Sequence, residues 1–257
     1  MSSNNESIGK TLAVVVALCL VCAIIVSFAA VQLRPLQQAN KAKDIQSNIL
    51  VAAGIGKVEN VSETFNNKIE VRLVNMKTGE SFASDSSEEV QAKVNAFDFE
   101  KSKFDPKLSF ALAEKGITDI AGIQRVTTEA PVYISRADNG SVDTIIVPIQ
   151  GYGLWGLMYG FLSLENDGET IKNIIFYKHG ETPGLGGEIQ NPQWTAKWEG
   201  KELPIDVVKS GASNEHQIDG LSGATLTSNG VDNTVDFWTG DNGFGPFLAE
   251  VRKGALK

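Results

Sequence analysis

The sequence predicts an α+β protein: one N-terminal transmembrane helix ahead of a soluble domain in which an antiparallel sheet is flanked by helices. Three observations carry this. Residues 11–31 form an unbroken apolar run, the middle of the chain holds two strand–turn–strand signals in succession, and helical periodicity returns only after them. Strands and helices are therefore segregated along the chain, as in α+β folds, rather than alternating.

Composition bounds the rest. A chain of 257 residues that is 42% hydrophobic and 21% charged suits one folded domain with an appendage. With 23 Lys+Arg against 31 Asp+Glu, the net charge of −8 leaves no surplus of cations to neutralise phosphates, so no nucleic-acid partner is expected. The only cysteines are Cys19 and Cys22, and the only histidines His179 and His216. That inventory excludes a zinc finger, a disulfide framework, a cysteine-held iron–sulfur cluster in the soluble part and c-type haem attachment.

The elements follow in order. Residues 1–10 read as a short tail. Residues 11–31 contain no charge, Asn, Gln, Gly or Pro; at about 1.5 Å per residue such a helix spans roughly 30 Å of hydrocarbon and so crosses a lipid bilayer. A signal peptide is the competing reading, but its apolar stretch would be about 7–15 residues. Lys10 precedes the span while Arg34, Lys41 and Lys43 follow it. This count places the C-terminal side in the cytoplasm, although long domains translocate largely regardless of flanking charge. Small side chains recur at four-residue spacing at Ala13 and Ala17, and at Cys19, Ala23 and Ser27. They suit a neighbouring helix, or reflect only the usual composition of spanning helices.

Residues 32–55 read as a helical connector, with Leu36, Ile45, Ile49 and Ala52 on an apolar stripe and Gly54 as its stop. The soluble domain then occupies 56–257 and is acidic. Residues 69–75 alternate as a strand ending at the turn Lys77-Thr78-Gly79. Strands at 131–137 and 142–149 flank Asp138-Asn139-Gly140, and strands at 157–165 and 170–178 flank Asn166-Asp167-Gly168. Helical patterns follow at 226–238 and 246–253. Residues 81–89 are the most loop-like stretch.

Three motifs carry chemistry. Gly151-Tyr152-Gly153-Leu154-Trp155-Gly156 matches G-x-G-x-x-G, but a strand follows it where a dinucleotide fold needs a helix, so a Rossmann site is rejected. Two readings remain: backbone that a flat group can approach closely, or a glycine-rich turn beside two core aromatics. The stretch from His179 through Glu181-Thr182-Pro183-Gly184-Leu185-Gly186 to Gly187 reads as a shaped binding loop or a plain connector. His179 and Glu181 as an acid/base pair lack a nucleophile nearby in sequence.

The third motif, Asp219-Gly220-Leu221-Ser222-Gly223-Ala224-Thr225-Leu226-Thr227-Ser228, gathers hydroxyls just ahead of a helix. The unpaired N–H groups there suit an anion such as phosphate; the alternative is that Thr225, Thr227 or Ser228 merely caps the helix. Hydrolase and Walker signatures fail: Gly220-Leu221-Ser222-Gly223-Ala224 lacks the second glycine of G-x-S-x-G, and Gly54-Ile55-Gly56-Lys57 lacks the Walker spacing.

The core Ser222-Gly223-Ala224-Thr225 resembles the flavinylation motif of bacterial FMN-binding domains. With the two glycine-rich motifs in order behind a single span, the chain is similar to the C-subunit family of Na⁺-translocating NADH:quinone oxidoreductases and to the corresponding subunit of Rnf-type complexes. The resemblance implies FMN attached covalently to Thr225 as a phosphoester by a magnesium-dependent flavin transferase that recognises Asp219 and Gly220. Ser222, Gly223, Ala224 and Thr227, with Leu226, would surround the phosphate. Gly151, Tyr152, Gly153, Leu154 and Trp155, and Glu181, Thr182, Pro183, Gly184, Leu185 and Gly186, would lie along the isoalloxazine. It further implies a single-pass bacterial inner-membrane protein with a periplasmic domain. Its partners would be other membrane subunits, a membrane metal centre, a second flavin subunit and the lipid bilayer, with electrons passing on to ubiquinone. No metal site or NADH oxidation is expected of this chain alone. The alternatives are the equivalent FMN subunit of an Rnf-type electron transport complex, or a membrane-anchored periplasmic flavin sensor or binding module.

Overall fold

The computed structural model describes residues 8–256. Most of the expected tail over 1–10 therefore lies outside the described residues. From Ile8 the chain is already helical, and α1 runs Ile8–Ala52. Along 11–31 its large apolar side chains are uncovered, from about half exposed at Val16 to 68% at Val31. A continuous apolar surface of this length fits a single-pass membrane anchor.

The compact unit begins at Gln46. Within it, the last turns of α1 bury Ile49, Leu50 and Ala52. The helix stops where Gly54 turns left-handed at φ +78°, and the Gly54 and Ile55 N–H groups bond back to Val51 and Leu50. The Ser163 hydroxyl satisfies the Ala52 carbonyl at 2.7 Å. Next come α2 (Val61–Lys68), capped by Asn60, and β1 (Ile69–Asn75). The edge strand β2 (Ser81–Ala83) and α3 (Glu88–Ala96), capped by Ser87, follow. Strands β3 (Ser109–Ala111) and β4 (Arg125–Thr127) pair by themselves.

The long strands are β5 (Glu129–Arg136), β6 (Val142–Tyr152), β7 (Leu157–Leu164) and β8 (Ile171–Lys178). They complete a six-stranded sheet in the order β2-β1-β5-β6-β7-β8, antiparallel throughout. A short helix α4 (Pro192–Thr195) and a parallel pair, β9 (Asp206–Val208) with β10 (Gln217–Asp219), lead into α5 (Thr225–Thr239) and α6 (Gly245–Arg252).

Strand alternation explains how the sheet is sandwiched. Val132, Ile134, Ile145, Val147, Leu162 and Ile174 share one core cluster with Val231, Val235 and Trp238 of α5 and Phe247 and Leu248 of α6. The Trp238 indole N–H donates to the Gln150 carbonyl at 2.7 Å. The alternate residues Tyr133 and Phe161 meet edge to face at 6.0 Å, and Phe65 of α2 packs on Tyr133. Each of these large buried side chains is worth roughly 1.5–3 kcal/mol.

The predicted α+β architecture and both central hairpins are present. Two differences are informative. Strand β6 extends to Tyr152 rather than 149, because Gly151 and Tyr152 stay in register with Met158 and Leu157. Residues 81–89, read as loop, contain β2 and the start of α3. Three residues are too few to show alternation, and β2 is recruited across the turn at Gly79, whose φ is +76°.

Candidate functional site

All three motifs meet at the end of the sheet where β6 passes into β7 and β8 leaves. The Gly153 N–H closes the β6–β7 turn onto the Gly156 carbonyl at 2.9 Å. At its tip the Leu154 and Trp155 N–H groups turn away from the sheet and donate to Glu181 Oε1, at 3.0 and 2.9 Å. The other carboxylate oxygen, Oε2, accepts from the Thr227 hydroxyl at 2.6 Å. Glu181 is 5% exposed and Thr227 1%. One buried side chain therefore ties the first motif, the second and the first turn of α5 together.

Glycine is required around this junction. A Cβ on Gly153 would lie 2.6 Å from Glu181 Oε1, and one on Gly186 would lie 2.5 Å from both Glu181 Oε2 and Thr227 Oγ1. On the other side of the motif, Gly151 faces the Thr234 hydroxyl and Gly230 faces the Tyr152 carbonyl, so α5 approaches β6 almost backbone to backbone. The close approach expected at the first motif is thus made in part by the protein's own helix. Thr234 and Gly230 were missed by sequence reading; a small residue on the inward face of α5 was the available signal.

The second loop is built on the Thr182 carbonyl, which accepts from Leu185 and Gly187 N–H. Thr182, Pro183, Gly184 and Leu185 are exposed while Gly186 is buried. His179 Nδ1 accepts from the Glu181 backbone N–H at 3.1 Å. The Glu181 carboxylate is engaged elsewhere, so the two do not form an acid/base dyad.

The third motif leaves β10 at Asp219. Its carbonyl accepts from the Trp194 indole at 2.9 Å, and its carboxylate accepts from the Ala212 N–H. That backbone bond holds the Asp219 carboxyl below the usual carboxylate range. The Gly220 N–H bonds to Val208. Ser228, one turn into α5, accepts from the Leu221 N–H at 2.8 Å and donates to the Ala224 carbonyl at 3.1 Å, folding the loop back on its own helix. Gly223, at φ +75°, lies against Leu185 of the second loop.

Capping by Thr225, Thr227 or Ser228 is not what these residues do. The N-cap position is Ala224, no side chain caps the helix, and its first turn holds no acidic residue. Thr225 is the first helical residue and is exposed, as are Ser222, Gly223 and Leu226. The core-aromatic reading of the first motif also fails, since Tyr152 is 49% and Trp155 65% exposed. With Leu154, Leu185 and Leu226 they form an uncovered apolar rim at the joined loops. An exposed hydroxyl at an uncapped helix N-terminus beside an apolar rim fits a phosphate-bearing, flat aromatic group such as FMN.

Comparison with known proteins agrees with this construction. Residues 153–239, from the tip of the first motif to the end of α5, match the family model of the FMN-binding domain. Those residues thus match an FMN-binding domain, in a chain whose N-terminal helix is apolar. Over 267 residues the chain is 46% identical to the C subunit of the Na⁺-translocating NADH-quinone reductase of Yersinia pestis, covering 99% of this chain and 97% of that one. The corresponding protein of Vibrio anguillarum is 48% identical over 265 residues, with all of both chains covered. The crystal structure of Shewanella oneidensis NqrC superposes with a TM-score of 0.74 at 32% identity, covering 84% of this chain and 100% of that one. The chain belongs to the family of C subunits of Na⁺-translocating NADH-quinone reductases, and is a subunit of that oxidoreductase complex.

Proposed function

We propose that this FMN-carrying protein holds its flavin covalently, as a phosphoester on Thr225, in a periplasmic domain, and relays electrons between neighbouring subunits of the pump. The single observation carrying the attachment site is the disposition of four hydroxyls. Thr227 and Ser228 are buried and bonded, to Glu181 and to Leu221 and Ala224 respectively. Ser222 is exposed but lies ahead of the helix; Thr225 alone is exposed and on the first turn of α5. There the uncapped N–H groups favour an attached phosphate by about 0.3–1 kcal/mol.

The bound flavin supplies the redox chemistry, between a membrane metal centre and a second flavin subunit, toward ubiquinone. The chain's own residues bind and orient. Ser222, Gly223, Ala224 and Leu226 border the phosphate position, while Tyr152, Leu154, Trp155 and Leu185 give the ring an apolar edge. Asp219 and Gly220 present the motif to the maturing flavin transferase. Covalent attachment prevents loss of the cofactor to an open compartment.

A denaturing gel of the full chain, made in cells possessing the transferase, tests the attachment under ultraviolet light. Fluorescence should survive denaturation in the wild type and vanish in Thr225→Ala; a dark wild-type band rejects the linkage. NADH-driven quinone reduction by the assembled complex should be lost in Thr225→Ala, whereas a sensor would leave it intact. Protease added outside spheroplasts should remove the soluble domain if that domain is periplasmic.

A further inference from the structure

We propose that Glu181 is a positioning residue for the flavin site: its buried carboxylate clamps the first motif to α5 and places a fixed negative charge beneath the site. This rests on the reading of Thr225 as the flavin's attachment point. Three donors converge on Glu181, two from the tip of the β6–β7 turn and one from the first turn of α5. Its carboxylate only accepts in these bonds, as an ionised carboxylate does. The linked partners lie 26, 27 and 46 residues away, so the clamp joins segments that have no local reason to meet.

The neighbouring glycines make room for the carboxylate, since a Cβ at Gly153 or Gly186 would lie 2.6 or 2.5 Å from its oxygens. Thr227 lies two residues beyond Thr225 in α5, so the charge sits under the same helix turn that presents the attachment hydroxyl. A negative charge held in a buried position opposes the arrival of an electron nearby. Glu181 therefore holds the flavin's midpoint potential lower than the same loops would without it.

Two substitutions separate clamp from charge in the full-length protein. Glu181→Gln retains an oxygen for the Leu154 and Trp155 N–H groups but removes the charge. Glu181→Asp keeps the charge on a side chain too short to span both partners. Redox titration of the bound flavin should move to more positive potential in Glu181→Gln and stay near wild type in Glu181→Asp. Hydrogen exchange at the 154–155 amides should speed at least tenfold in Glu181→Asp and change little in Glu181→Gln.

An unmoved potential in Glu181→Gln overturns the charge assignment, and unchanged exchange in Glu181→Asp overturns the clamp. Should Glu181→Gln fail to fold, the exchange result in Glu181→Asp still decides the clamp. A wild-type chain without covalent flavin defeats the Thr225 reading instead, and the exchange measurement then judges Glu181 independently.

Discussion

The two ends of the central sheet are built on opposite principles. At one end, the β5–β6 and β7–β8 turns are closed by their own residues. Asn139 accepts from the backbone and hydroxyl of Ser141, while Asp167 accepts from the Glu169 and Thr170 N–H groups and the Thr170 hydroxyl. Arg136 of β5 donates to the Gly140 carbonyl four residues on, and among these bonds only the one from Arg252 of α6 to the Gly168 carbonyl comes from a distant segment. At the other end, the tip of the β6–β7 turn has two N–H groups bonded to a carboxylate 26 and 27 residues away, and its side chains stand uncovered. A turn that satisfies itself is polar and finished. One that relies on distant partners leaves its outer surface open for something else to cover.

Gly230→Ala gives the largest effect expected from this contrast short of the loss of flavin in Thr225→Ala. A Cβ at residue 230 would be driven into the Tyr152 carbonyl and towards Gly153. Neither is the end of a flexible side chain, so α5 must withdraw from the site. The cost should be about 3 kcal/mol, at the upper end of ordinary overpacking, read as a lower urea midpoint. A stability equal to wild type would mean that the two backbones are not in contact.

Gly140→Ala, at the opposite end, has open space around the new Cβ. Its penalty comes only from φ +83° and should be about 1–2 kcal/mol, with covalent flavin unchanged on the gel. Loss of flavin there would break the division between the two ends.

The same contrast explains what was legible in the sequence. Asp138-Asn139-Gly140 and Asn166-Asp167-Gly168 announce their hairpins because their partners lie within three residues. The helix after Thr225 announces itself by period. Glu181 was named through a family motif, but its role stayed hidden, since nothing local says that a carboxylate will accept from residues 154, 155 and 227. Gly151 suffered similarly: its spacing suggested room for a ligand, whereas Thr234 of α5 occupies that side. The short strands β9 and β10 escaped notice because three residues carry no readable alternation, and β9 is pinned by a distant partner, its Val207 N–H donating to the Asp232 carboxylate of α5 at 2.6 Å.

Acid should expose the smallest difference between the ends. Glu70, at the start of β1, lies 2.8 Å from both Arg72 and Arg136. Burial pushes its carboxyl up, but the hydrogen bonds and charges of the two guanidiniums outweigh it and hold the group below the ordinary carboxylate value. A carboxylate depressed on folding contributes stability above its unfolded pKa, and that contribution disappears as the pH falls through the lower folded value. Arg136 also donates to the Gly140 carbonyl, so protonating Glu70 loosens the self-closed end first. The pair is partly open to solvent, which limits the effect to less than about 1 kcal/mol. Urea midpoints measured from pH 6 down to pH 3 should therefore fall less steeply in Glu70→Gln than in wild type, with the curves diverging most above the ordinary carboxylate range and converging at the acid extreme. Parallel curves would mean that the guanidiniums do not favour the charged form of Glu70 in the folded protein.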